Sequence, residues 1–306
     1  MNNLYEVKEQ CRFDCFVKMY GYIAQAMMEI GGNRGERAVR DAVIRYGEEF
    51  GEQLREELLE QGVQTNLRSM LRAECCCGSD PRFFRTVIRD EKESQMFEVY
   101  SCPMETVWRK KGCQAAGAIY CEEWIHAAIR AFTQGKGQAN LSNYLTCKRD
   151  SFCRFSLYLR PANLDEAQRQ ECFGEDRTEG EGLMEKEGGI ASYFLSLYRC
   201  LFHSAKEYLG LDGQAAVLVG LDRLCSDEAE ALRLEADHTG ENLTFEFIQQ
   251  YFPLPLGRKE ECGGDAVSAL SGEEERLVAL HLTEGLLRKL NLSCEKKEVR
   301  KEKRGS

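Results

Sequence analysis

The chain has 306 residues, 43% hydrophobic and 30% charged, with a formal net charge of −10. That length accommodates two cores of ordinary size, and the acidic balance argues against nucleic acid as a partner, because like charge repels phosphate backbones. No apolar run approaches the roughly 20 residues that span a bilayer; the opening MNNLYEVKEQ lacks the basic-then-apolar order of a secretion signal, so no membrane partner and a cytoplasmic location are expected.

Residues 4–30 read as a helix, with Phe16, Met19, Tyr20, Ile23, Met27 and Ile30 recurring at intervals of three and four. Gly31-Gly32-Asn33 ends it. A second helix is expected from Gly35 to Gln61, with Val39, Val43, Ile44, Phe50, Leu54 and Leu58 as its apolar stripe and Gly62 as its cap. Residues 63–77 fit strand or helix equally. Within them, Cys75-Cys76-Cys77 suits a shared metal poorly, since adjacent side chains diverge. Phe83–Ile88 and Gln95–Tyr100 read as paired strands turning at 90–93. Cys102-Pro103 opens a short helix, Pro suiting its first position and Cys102 its N-cap. Lys111-Gly112 breaks it, and Gln114–Phe132 forms the third long helix. A loop over 133–137 leads to a hairpin of Leu141–Cys147 and Phe152–Arg160.

The acidic, glycine-containing residues 163–187 are expected to be a linker between an α+β domain, 1–162, and a helical domain, 188–293. Helices are expected near 188–209, 213–238 and 273–292, followed by a charged tail, 294–306. Residues 16–62, shifted by 178 positions, match residues 194–240 at 13 of 47 positions. The matches include Glu29 with Glu207, Gly32 with Gly210, Gly35 with Gly213 and Arg45 with Arg223. The helical domain therefore reads as a degenerate repeat of the first domain's helices, an internal pseudo-dimer; a homo-oligomer is the alternative expectation. It has no counterpart of CPMETVW or YLTCKRDSFCRF.

Fifteen cysteines, an odd count without a secretion signal, read as reduced thiols. Cys15, Cys200 and Cys225 lie among apolar helical residues and suit packing. Cys121, Cys147 and Cys153, one on a helix and two flanking a hairpin turn, could hold zinc with a water or carboxylate as fourth ligand. Cys102 at a helix N-terminus is placed for a lowered pKa and nucleophilic attack, and Cys121 is the alternative nucleophile. On the third long helix, Glu122 stands four residues before His126 and could orient it for proton transfer. Trp108 and Trp124 could wall a ligand pocket, although core packing is the plainer reading. No phosphate loop, G-x-S-x-G, H-E-x-x-H or dinucleotide fingerprint occurs.

The order of Cys102-Pro103, Trp108, Tyr120-Cys121, Phe132, Asn140-Leu141 and Cys153-Arg154-Phe155 resembles the L-2-amino-thiazoline-4-carboxylic acid hydrolase family, over roughly residues 16–160. The resemblance implies an α+β fold and hydrolytic opening of the C=N of a thiazoline, a C–N bond in a cyclic amidine, to a carbamoyl-cysteine. Two departures bear on the substrate: the usual Asn-Pro is reduced to Gln138-Ala139-Asn140-Leu141, and the usual hairpin Gly is replaced within Lys148-Arg149-Asp150-Ser151. Cys121, Cys147 and Cys153 are also similar in order to the zinc-holding cysteines of 4-vinyl-reductase sensor domains. The acidic ligand expected before the middle cysteine is replaced there by Asn143, Tyr144 and Leu145. Two functions are thus expected: a hydrolase of a small heterocyclic C=N compound, or a small-molecule-binding module without catalysis.

Overall fold

The computed structural model describes residues 2–72, 80–145, 150–179, 189–256 and 272–292. The fold is α+β: a four-stranded antiparallel sheet with long packed helices, followed by further helices. The chain forms two compact units, Met1–Leu224 and Cys225–Ser306.

In the first unit, α1 (Asn2–Gly31) and α2 (Asn33–Glu60) form a hairpin turned at Gly32, whose φ of 54° favours glycine. Most of α2's apolar stripe is buried, and α2 packs closely on α5 (Gln114–Phe132). Gly51 permits this approach, since a Cβ there would overlap the Ala128 carbonyl. Within residues 63–77, Val63 makes an isolated bridge to Thr178 and Leu67–Arg72 form α3; Cys75, Cys76 and Cys77 lie outside the described residues.

The sheet runs β1 (Phe84–Asp90), β2 (Ser94–Ser101), β4 (Cys153–Leu159), β3 (Gly137–Ser142). Phe97 faces Phe155 across β2 and β4, their rings stacked with centroids 4.9 Å apart. Ile125, Ile129 and Phe132 from α5 join Leu141, Leu157 and Leu159 from the sheet in one core. β1 and β3 are the edge strands, and β1 is exposed along its length.

The first strand of the last hairpin begins earlier than expected, at Gly137 rather than Leu141. The Thr133 hydroxyl accepts the Gly137 N–H at 2.7 Å, turning the chain straight from α5 into β3. Asn143, in the left-handed region with φ 61°, then closes the strand. The expected linker is also structured where described. Asp165 and Gln168 form a capping box that starts α6 (Glu166–Phe173), and Cys172 on it is buried. Gln64 and Asn66 donate to the carbonyls of Gly174 and Cys172, tying this segment to the α2–α3 connection.

α7 (Gly189–Leu209) and the start of α8 (Leu211–Thr239) complete the first unit, α7 packing against α1 and α2. In the second unit, the rest of α8 meets α10 (Glu273–Leu290), with Cys225 against Gly285; α9 (Phe245–Tyr251) is capped by the Thr244 hydroxyl. Among the described residues no helix is long and apolar enough to cross a membrane.

Candidate functional site

The end of β2, the N-terminus of α4 (Pro103–Lys111), the start of α5 and the β3–β4 connection surround a hollow of about 820 Å³. That volume suits a small organic ligand. Its chemistry comes from a short run of sequence. Tyr100 and Ser101 bring hydroxyls from the strand, Cys102 a thiol from the N-cap, and Glu105, Thr106 and Arg109 project from one face of α4. Asp150 closes the far side. Its carboxylate accepts the Tyr144 N–H at 2.8 Å, and its own N–H donates to the Tyr144 carbonyl at 3.2 Å, which holds it in place.

α4 is held rigidly. Pro103 at its first turn and Gly112 in the left-handed region, φ 72°, define its ends. Trp108 anchors its inner face. It is 1% exposed, lies against Gly21 and Gly117, and donates its indole N–H to the Val17 carbonyl at 3.0 Å. Trp108 is therefore a core residue and lines no part of the hollow. Glu105 is 6% exposed, and its Oε1 is ion-paired with Arg109 one turn on.

Cys102 departs from its expected titration. The Met104 and Glu105 N–H groups do lower its pKa, as a helix N-terminus should, but burial outweighs them and pushes the thiol up to about 12. Nearby Cys153 and Glu105 act in the same direction as burial. Cys102 is a neutral thiol at pH 7, not a thiolate.

The other expected residues lie elsewhere. His126 lines a separate hollow of about 400 Å³ with Glu123, Arg130 and Gln138. Its Nδ1 contacts the backbone carbonyl of Glu122, while the Glu122 carboxylate turns to Arg40 at 3.2 Å. Glu122 thus meets the imidazole through its main chain. Trp124 stacks on Tyr120, with centroids 6.2 Å apart, and packs beside Phe50; its buried indole nitrogen has no hydrogen-bond partner among the described residues. Cys121, half-buried on α5, and Cys153, buried on β4, pack on the same apolar cluster as Cys102 and Trp124. Cys153 Sγ accepts the Leu145 N–H at 3.2 Å. Cys147 lies outside the described residues, and among the described residues no three His, Cys, Asp or Glu side chains are grouped to hold a metal.

Sequence reading missed Tyr100, Glu105, Arg109 and Asp150. Glu105 and Arg109 did carry a signal, a carboxylate and a cation four apart on a helix opened by Cys-Pro. Asp150 carried none, because only the connection's fold brings it to α4.

The fold thus defines an α+β domain with a polar hollow at a helix N-terminus. Residues 12–157, which contain this sheet and hollow, match the sequence model of the L-2-amino-thiazoline-4-carboxylic acid hydrolase family. Over this segment, just under half of the chain, the protein is similar to that family. No curated protein and no solved structure gives a significant match.

Proposed function

We propose that the chain is a hydrolase of a small heterocyclic C=N compound carrying a carboxylate, such as a thiazoline carboxylate, and that the hollow beside α4 is its active site. One observation carries the reading: within the family-matched segment, a cation, two carboxylates and a helix N-terminus converge on one hollow. Arg109 and the α4 amides are the groups that attract a substrate carboxylate. The Glu105 and Asp150 carboxylates are the acceptors for the amidine N–H groups. Water adds to the C=N carbon, forming a C–O bond. Collapse of the adduct breaks the ring C–N bond, and the departing nitrogen takes the protons that Glu105 relays from the water. The product is a carbamoyl-cysteine. A Cys102 nucleophile would need a thiolate that burial opposes, so the water route is favoured. Cys121 and His126 do not line this hollow and carry no step of it.

The test is turnover of 2-amino-thiazoline-4-carboxylate by the purified chain. Activity abolished by Glu105→Gln and retained at least in part by Cys102→Ala is expected. Saturable binding without turnover would instead mark the chain as a binding module, a role the neutral Cys102 also suits. Absence of both binding and turnover would sink the proposal.

A further inference from the structure

The two helical hairpins of the first unit meet in a reciprocal manner. Arg45 of α2 bridges Glu207 of α7 at 2.7 Å, and Arg223 of α8 bridges Glu29 of α1 at 2.7 Å. Glu29 and Glu207 are separated by 178 positions, and so are Arg45 and Arg223. Exchanging the hairpins therefore turns one bridge into the other. This is the pattern of an isologous interface, in which residue i meets j and j meets i.

Two further pairs obey the same offset. Gly31 and Leu209 are equivalent positions, and they touch each other: a Cβ on Gly31 would lie 2.7 Å from Leu209 Cδ2. Self-contact between equivalent positions marks a two-fold axis. Gly35 and Gly213 are also equivalent. A Cβ on the first would overlap the Met27 carbonyl and a Cβ on the second the Ala205 carbonyl, themselves 178 apart. The turns match too, through left-handed Gly32 and Gly210 at φ 54° and 62°.

We propose that α7–α8 is a tethered second copy of α1–α2, and that the face it covers is a two-fold interface whose fitting partner is the α1–α2 hairpin of another chain. The attached copy fills this face, so the parent chain does not dimerise through it. The copy kept the scaffold and the bridges and carries no counterpart of the α4 hollow. One hollow thus serves each pair of hairpins.

The test wedges the tethered copy away in the full-length chain. Gly220 of α8 packs on α1, where a Cβ would lie 2.5 Å from Ile23 Cα, so Gly220→Leu displaces α8 without harming its helix propensity. Native mass spectrometry and sedimentation should then show concentration-dependent doubling of the 34.9 kDa mass. In that dimer each bridge occurs twice, Glu29 to the partner's Arg45 and the reverse. Adding Glu29→Arg should weaken association about tenfold. Adding Arg45→Glu as well should restore it. A single-chain mass for folded Gly220→Leu, or equal dimerisation in all three charge backgrounds, overturns the proposal. If Gly220→Leu does not fold, the parent background decides. There Glu29→Arg and Glu207→Arg should lower Tm equally, rescued only by Arg223→Glu and Arg45→Glu respectively; unequal shifts or unspecific rescue overturn it.

Discussion

Labelling of Cys102 with iodoacetamide as a function of pH measures the electrostatics of the hollow. An ordinary thiol of pKa about 8.5 is roughly 3% thiolate at pH 7. With its pKa pushed up to about 12 by burial, Cys102 holds far less thiolate. The difference in pKa corresponds to ~3,000-fold less of the reactive form. A more basic thiolate is also a stronger nucleophile, which recovers ~30-fold for a Brønsted slope near 0.4–0.5. The net expectation is labelling ~100-fold slower than in the urea-unfolded chain at the same pH. The assay is peptide-resolved mass spectrometry of the native chain between pH 6.5 and 10. The logarithm of the rate should climb with unit slope throughout, with no plateau. An inflection at or below pH 8.5, or a native rate equal to the unfolded one, would show that the helix N-terminus wins over burial and would return Cys102 to the role of nucleophile.

Cys200 is likewise held protonated, at about 12, by burial and Glu49. In the unfolded chain it ionises first, so stability is full below about pH 8.5 and falls by ~1.4 kcal/mol per pH unit from there toward 12. Urea titrations at pH 8, 9 and 10 should show that slope reduced in Cys200→Ala; an unchanged slope would refute the assignment. Arg109→Ala should raise KM for a carboxylate substrate about 10–100-fold, the worth of one charge-assisted hydrogen bond, with a smaller change in kcat. A KM left unaltered would remove Arg109 from ligand binding. Trp108→Ala should cost about 3–5 kcal/mol in denaturant titration, because it empties the contact between α4, Gly21 and Gly117. A loss under 1 kcal/mol would contradict its burial. Gly51→Ala should cost at least ~1–3 kcal/mol by forcing α5 off α2, and wild-type stability would refute that close approach.

The long helices were legible because their apolar stripes repeat at the helical period, and the Gln114–Phe132 helix matches its expected ends. Cys102-Pro103 marked the start of α4 for the same local reason: proline fixes the first turn. Local pattern misplaced the start of β3, since the Thr133–Gly137 hydrogen bond that sets it depends on a side chain outside the strand. It also read 163–187 as linker, because the anchors of α6 are polar groups on Gln64 and Asn66, about a hundred residues away.

The same division runs through the site. Periodicity, capping residues and the 178-residue echo lie within the sequence, since each depends on neighbours a few positions apart or on the chain's likeness to itself. That Cys102 stays protonated, which tryptophan is core, and that Asp150 faces Glu105 across a hollow that excludes His126 were decided by tertiary structure. Burial and charge act through space, and their strength depends on which distant segments fold against one another.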